Sequence, residues 1–498
     1  MRKAFPLLAT ALVAGCTVGP NYKGPPAVAS DAAARGTFVR AGDGALRPTP
    51  GVARWWEGLG DPTLTRLVDD ALAHSPNIDL AQARIREARA QLRQQLTTGL
   101  PTVGPSVTYL HAELPGGGLG ALAGGSTSGD STGEGDAAAG SSSGGSSALN
   151  VYNVGATASW EPDLFGGARR GAEQARANVG RRFADLADAQ VSLSAQVAQA
   201  YVSLRDVQQR VRLNAQSSEL QRRALALTRQ RYAAGTASAL DVERLQMQLE
   251  STDAQITPLG AQVDDYLNQL AVLTGRTPGT LDATLSTAVP VPVPPAEVPI
   301  GDPASLIAHR PDIRSAERAL AASNAQIGIN TARLFPSVRF MGILGLGGTR
   351  PGDVFDPSNL TTLLAPMLQW SGLDWGRGRA AVRQAEAQRD EAEAQYRETV
   401  LEALGDAETS LSRFGNTRQQ LGQLVRAEAA AARAARLNAQ RMAAGTSSVL
   451  DQLDIERQRL SASIAVAQAT AQLTNSYVGV QKSLGLGWSE PAAEPGKR

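Results

Sequence analysis

Arg231-Tyr-Ala-Ala-Gly-Thr-Ala-Ser-Ala-Leu-Asp241 and Arg441-Met-Ala-Ala-Gly-Thr-Ser-Ser-Val-Leu-Asp451 lie 210 residues apart. They agree at Arg, both Ala of the Ala-Ala pair, Gly, Thr, Ser238 and Ser448, Leu and Asp. Each interrupts Ala/Gln/Arg/Leu-rich sequence, whose straight-chain residues favour helix on both sides. Gly235 and Gly445 fit the position just past a helix end, where a positive φ is needed, and Ser238 and Ser448 can cap the returning helix. Each stretch therefore reads as the tip of a helical hairpin. A single copy would be an ordinary turn, but here the surroundings are copied too.

Working outward, Leu72-Ala-His-Ser-Pro-Asn-Ile78 corresponds to Ile307-Ala-His-Arg-Pro-Asp-Ile313, and Leu100-Pro-Thr-Val103 to Phe335-Pro-Ser-Val338, both at an offset of 235. Trp160 and Phe165-Gly166 then match Trp370 and Trp375-Gly376 at an offset of 210. The offset falls because a Gly/Ser-rich run, 115–147, is longer than its counterpart between Gly345 and Leu360. Insertions collect in loops, and this low-complexity run cannot bury apolar surface, so a solvated, mobile loop is expected there. The alternating residues Val103, Pro105, Val107 and Tyr109 and then Tyr152, Val154, Ala156, Ala158 and Trp160 flank it as a β-hairpin.

The helices follow. A leading helix opens at Asp61-Pro62 and runs to about Thr98; its counterpart runs from Pro303 to Leu334. Long helices span Phe165 to Tyr232, with a coiled-coil-like stripe at Val197, Tyr201, Leu204, Val207 and Val211, and Trp375 to Met442. Returning helices span Ser238 to Leu273 and Ser448 to Ser483. At 1.5 Å per residue the long helices reach ~100 Å, the returning ones ~54 Å and the leading ones ~50–60 Å. One long helix thus matches one returning plus one leading helix, so each repeat supplies one continuous and one broken pillar. The expected domains are a signal peptide at 1–15, a tether at 16–60, a first repeat at 61–274, a Pro-rich linker at 275–302, a second repeat at 303–484 and a tail at 485–498.

Composition narrows the function. The 498 residues carry a net charge of +1, which argues against a nucleic-acid partner. Arg2 and Lys3 precede an apolar run from Ala4 to Ala14, too short to span a bilayer but suited to a secretory signal. Val13-Ala14-Gly15-Cys16 places the only cysteine at the cleavage point and resembles a bacterial lipobox, with Cys16 acylated and Thr17 in place of an inner-membrane retention Asp. With no second cysteine, disulfides supply no stability. No segment after residue 16 is apolar enough for a transmembrane helix, so crossing a membrane requires closed β-structure. Four alternating segments are too few, since single-chain barrels begin at eight strands, and closure needs several copies.

Over nearly its whole mature length the chain resembles the TolC-like outer-membrane efflux channels, in the lipoprotein branch often called the NodT family. The resemblance rests on the lipobox followed by Val18-Gly-Pro-Asn-Tyr22, the duplicated Ala-Gly-Thr tips, the Leu-Phe-Gly and Asp-Trp-Gly turns, and the repeated order helix, hairpin, long helix, tip, helix. It implies a mainly α fold with β: a homotrimer whose twelve strands form an outer-membrane barrel and whose twelve pillars form an α-barrel tunnel in the periplasm. It also implies docking to a periplasmic adaptor and an inner-membrane pump of the RND type, no catalysis and no cofactor. The residues matching the family's aperture are Asp241, Asp451 and Asp454, with Leu450 as an apolar constriction; three copies of each carboxylate around one axis would raise one another's pKa and attract cations. Asp241 and Asp451 equally suit a helix's first turn. Gly235, Thr236, Gly445 and Thr446 match the adaptor-docking tips. Where some members tie the gate shut with a tyrosine and an arginine, this chain has Met442 and Ser447, so that lock is missing.

An enzyme is disfavoured: His74, His111 and His309 are the only histidines, no metal-ligand spacing or nucleophile elbow occurs, and His74 and His309 are repeat equivalents. The remaining alternatives are an exit channel for secreted polypeptides and a non-channel periplasmic coiled-coil lipoprotein; the latter leaves the alternating segments unexplained.

Overall fold

The structure, a computed structural model, describes residues 17–114 and 147–489. The signal peptide, Cys16, the Gly/Ser-rich run and the last residues of the tail lie outside the described residues. In chain order the elements are α1 (Ser30–Arg35), β1 (Leu46–Arg47), a 3-10 turn at Trp55–Leu59, α2 (Pro62–His74), α3 (Pro76–Thr97), β2 (Thr102–Leu114) and β3 (Ser147–Trp160). Then come α4 (Gly167–Ala233), α5 (Ala239–Leu273), α6 (Asp282–Leu285), β4 (Val298–Pro299), α7 (Pro303–His309) and α8 (Pro311–Ala332). The chain ends with β5 (Ser337–Gly348), β6 (Leu360–Gln369), α9 (Arg377–Ala443) and α10 (Val449–Ser483). Contacts divide it into two compact units, one of residues up to Asn21, Leu92–Glu173 and Asn324–Glu386, the other of Tyr22–Gln91, Gln174–Ser323 and Ala387 onward. Each unit takes a share of both repeats.

The first unit holds a four-stranded antiparallel sheet in the order β2-β3-β5-β6, so β2 and β6 are its edges. Register puts Thr102 opposite Ser159, Trp160 opposite Phe340 and Ser337 opposite Gln369. Side chains alternate across a sheet, so one face carries Val103, Val107, Tyr109, Val154, Trp160, Phe340, Leu344, Leu346, Leu364 and Leu368. The other is mixed: it carries Ser106, Thr108, Asn153, Thr157, Ser159, Arg339, Thr361 and Gln369 together with Leu110, Val151, Met341, Ile343, Leu363 and Met367. Strand β5 runs on through Gly348, four residues into the stretch expected to be loop; the connection that remains is two 3-10 turns at Pro351–Phe355 and Pro357–Asn359.

Two expectations are corrected. Each leading helix is broken in two, at Ser75 and at Arg310, because a residue before proline is pushed out of the helical region: ψ is 131° at Ser75 and 126° at Arg310. The paired motif around His74 and His309 is that break. Both imidazoles bond the carbonyl four residues back, His74 to Asp70 at 3.1 Å and His309 to Ser305 at 2.8 Å, a shared structural role.

The stretch expected as a loose tether is packed from Thr17 onward. In the first unit the Arg170 guanidinium, 3% exposed, donates to the carbonyls of Val18 and Gly19 at 3.1 Å each and to Asn21 Oδ1 at 2.7 Å. Gly328 leaves room for the Arg170 stem, which a side chain there would strike. In the second unit Phe38, Leu46, Trp55, Trp56 and Leu59 join the main core with Leu64, Val197, Tyr201, Leu204 and Tyr477. Strand β1 pairs in parallel with β4 from the Pro-rich linker. Composition hid this because the apolar residues are spaced irregularly between prolines and glycines and show no helical or strand period.

At the start of α2, Asp61 Oδ1 accepts from the Thr63 and Leu64 amides while Oδ2 accepts from the Tyr201 hydroxyl at 2.6 Å. Burial and that carboxylate push the Tyr201 phenol up to about 12. The coiled-coil stripe of α4 is core, with Val197, Tyr201, Leu204 and Val207 all buried. Trp56, 1% exposed, separates a packed segment from a tether: Trp56→Ala should cost about 3–5 kcal/mol. The check is the denaturation midpoint, which a tether substitution would leave in place.

Candidate functional site at the hairpin tips

Each tip is built the same way by the local sequence. After α4, Gly235 takes φ 72°, its amide donates to the Tyr232 carbonyl at 2.9 Å, and the Thr236 amide donates to the Arg231 carbonyl at 2.8 Å. After α9, Gly445 takes φ 75°, with 3.0 Å to Met442 and 2.9 Å from Thr446 to Arg441. This is the double closure that satisfies orphan carbonyls at a helix end, and only glycine enters that backbone region without strain. The Thr236 and Thr446 hydroxyls donate to the same arginine carbonyls at 3.0 Å, so both threonines are turned inward, holding the turn. Above Gly235 and Gly445 there is open space.

The returning helices begin with reciprocal caps. Ser238 Oγ accepts the Asp241 amide at 3.2 Å and the Ser238 amide donates to Asp241 Oδ2 at 3.1 Å. At the second tip the same pair of bonds joins Ser448 and Asp451 at 3.0 and 3.2 Å. Bonds from Ser238 hold the Asp241 carboxyl below the usual carboxylate range, and bonds from Ser448 do the same for Asp451. Both carboxylates therefore stay ionised at any pH near neutrality. The first-turn role foreseen for them is present in full.

The four residues named from the sequence are brought together. Asp241, Leu450, Asp451 and Asp454 line one groove of about 1190 Å³ between the first hairpin, α4 and α5, and helix α10. The sequence reading missed the basic residues on the same groove, Arg210, Arg231, Arg244 and Arg457. Asp454 is paired within its own helix to Arg457 at 2.8 Å. Arg244 and Asp454 hold equivalent places in the two repeats with opposite charge, a signal that lining up the repeats would have revealed.

Also missed was a polar network confined to the second tip. Ser447 Oγ donates to Asn438 Oδ1 at 2.8 Å, Asn438 Nδ2 donates to Gln452 Oε1 at 2.9 Å, and Gln452 Nε2 donates to the Ala435 carbonyl at 3.3 Å. The equivalent positions in the first repeat are Ala237, Thr228 and Val242, and the buried Thr228 hydroxyl has no partner. Among the described residues no group of His, Cys, Asp and Glu could hold a metal, and no helix is long and apolar enough to cross a membrane.

Set against known proteins, residues 67–276 and 303–486 both match the model of the outer membrane efflux protein family. The chain belongs to that family. The two matched stretches fall on the two repeats. Nodulation protein T of Rhizobium leguminosarum bv. trifolii is 29% identical over 495 residues, covering 97% of each chain. The pyoverdine export outer membrane protein OpmQ of Pseudomonas aeruginosa is 30% identical over 444 residues, covering 88% of each. The solved outer-membrane channel OprN has a TM-score of 0.82 at 33% identity, covering 95% of this chain and all of that one. This family member is thus an outer-membrane efflux channel subunit, with its sheet as barrel wall and its long helices as tunnel wall.

Ser238→Ala and Ser448→Ala should each cost about 1 kcal/mol, the usual worth of a serine cap. The pH dependence has a definite sign. A carboxylate whose folded pKa lies below its unfolded value, ~3.9 for Asp, stabilises fully above that value and loses its contribution as pH falls through the folded pKa. Amide exchange in the first turns of α5 and α10 should therefore be unaffected between pH 5 and pH 8 and accelerate only below about pH 4, relative to the helix centres.

Proposed function

We propose that the chain is the passive outer-membrane exit of a tripartite efflux system, a homotrimer that conducts small molecules handed on by an inner-membrane pump through a periplasmic adaptor. The observation that carries the proposal is a sheet with one apolar face and two unpaired edges, borne on two helices of 67 residues each. In lipid every backbone amide and carbonyl must be satisfied, so this sheet is stable only as part of a closed wall. Three copies supply twelve strands, within the range of bacterial barrels. At 1.5 Å per residue each long helix extends ~100 Å, a reach suited to a tunnel across an aqueous compartment.

Mechanistically the protein does no chemistry. Its contribution is a water-filled path and a constriction at the tips, where Asp241, Asp451 and Asp454 concentrate carboxylates and Leu450, half-buried on one groove wall, supplies an apolar edge. The bare glycines at both tips let an adaptor helix approach the backbone closely. We place a lipid on Cys16; because residues 18–21 are held by Arg170, such an anchor joins the protein body with almost no spacer.

The test is conductance in planar bilayers together with antibiotic susceptibility of cells carrying the pump and adaptor. Replacing Asp241 and Asp451 with Ala should raise conductance or leak, whereas Ser238→Ala, which loosens the cap and keeps the carboxylate, should not. Equal behaviour of the two sets would return both aspartates to a purely capping role, and absence of any conductance from the unsubstituted protein would overturn the channel.

A further inference from the structure

We infer that the two open edges of the sheet are complementary to one another in neighbouring copies of this chain, with Leu368 of β6 opposite Val107 of the next copy's β2 and Trp375 covered by that copy's Leu100. The inference deepens the proposed function and rests on its closed barrel.

The template lies inside the chain. Thr102 pairs with Ser159 as Ser337 pairs with Gln369, and His111 with Asn150 as Leu346 with Leu360. The two hairpins therefore share one register, with first strands displaced by 235 residues and second strands by 210. The β3–β5 junction is where the second strand of one repeat meets the first strand of the next. An interface that repeats head to tail closes into a ring when its rotation allows, and the same junction taken one step further sets β6 antiparallel to β2 of another copy. Ala158 opposite Gly342 becomes Leu368 opposite Val107, Val154 opposite Leu346 becomes Leu364 opposite His111, and Trp160 opposite Phe340 becomes Trp370 opposite Pro105.

Two observations independent of that register agree with it. The first is the faces. At these pairings the apolar row Leu364, Leu368, Trp370 continues into Val103, Val107 and Tyr109, all exposed on the single chain, up to 82% at Val107. A slip of one residue would set Val107 against Met367 or Gln369 and turn one apolar row to the opposite side of the wall. The second is Trp375. It sits in the left-handed region at φ 55° and is 95% exposed, a costly backbone for a bulky residue unless surroundings hold it. Its repeat equivalent, Phe165, stacks on Phe335 with centroids 4.7 Å apart and planes at 14°. The same displacements pair Trp375 with Leu100, itself 58% exposed.

Directly opposed residues in antiparallel strands have Cα atoms ~4.5–5.5 Å apart, inside the range a disulfide spans. The test is therefore oxidative cross-linking of the full-length protein in outer-membrane vesicles carrying Val107→Cys and Leu368→Cys in one chain. Expected is a reductant-sensitive ladder at the dimer and trimer masses of the mature, lipid-bearing chain. Thr108→Cys with Met367→Cys tests the same register from the other face and serves if the first pair does not assemble. Preferential linkage of Val107→Cys with Pro366→Cys or with Trp370→Cys, each a two-residue slip, would overturn the register. No linkage from any pair, in assemblies that still conduct, would overturn the seam and leave the channel standing; loss of conductance by the unsubstituted protein would instead overturn the channel itself.

Discussion

The unsatisfied backbone of two strand edges governs this molecule. In water an open edge can be hydrated, but in hydrocarbon each unpaired amide or carbonyl costs several kcal/mol, so four strands with an apolar face cannot stand alone. The sheet order β2-β3-β5-β6 makes the consequence specific, because it sets the hairpins of the two repeats side by side so that each exposes one free edge. Duplication thus yields a wall segment with a defined left and right end. The same asymmetry explains why apolar side chains are so exposed on β2 and β6, which on an ordinary soluble sheet edge would invite aggregation.

The helical part obeys a gentler constraint. Straight-chain residues and alanine make the long helices locally favourable, and what needs specification is where they stop and turn. The tips do this with backbone and short side chains alone: a glycine in the left-handed region, a threonine folded back on an arginine carbonyl, and a serine–aspartate reciprocal cap. Because the capping bonds hold the Asp241 and Asp451 carboxyls ionised, the local solution to helix capping also fixes negative charge at the tip. Structural and conductive roles for these aspartates are therefore not rivals. A group that must stay ionised to cap a helix is equally a permanent charge beside a passage.

Much of this was legible in the sequence because it is local or repeated. The tips, the strand-to-helix turns and both caps depend on residues within six positions of one another, and the duplication doubles each signal. The broken leading helices were legible in principle, since Ser75-Pro76 and Arg310-Pro311 carry a local rule. They were read through because helical period continues on both sides. What stayed hidden is long-range: the docking of residues 17–60, held by Arg170 in one unit and by Trp55 and Trp56 in the other, depends on partners more than a hundred residues away. The basic wall of the tip groove was hidden for the same reason, since Arg244 and Asp454 come to line one groove only when the first hairpin and α10 are both in place.

The departures from perfect duplication carry the remaining information. Were the repeats identical, every hairpin would have the same internal cohesion and neither would have reason to move before the other. Instead the second tip ties its two helices together through Ser447, Asn438 and Gln452, while the first has Ala237 and Val242 and leaves the Thr228 hydroxyl buried and unpaired. A buried amide network whose members are all bonded rigidifies the element that contains it, whereas an orphan hydroxyl is a standing cost that another arrangement can relieve. The first hairpin joins its helices farther from the tip instead, Arg229 to Gln246 at 2.7 Å, Gln221 to Thr252 at 2.9 Å and Arg222 to Asp253 at 2.9 Å, so the two hairpins differ in where they are tied together and not in whether they are. Its groove-facing Arg244 stands where the second repeat places Asp454, so the two repeats also set opposite charges on the one groove they share.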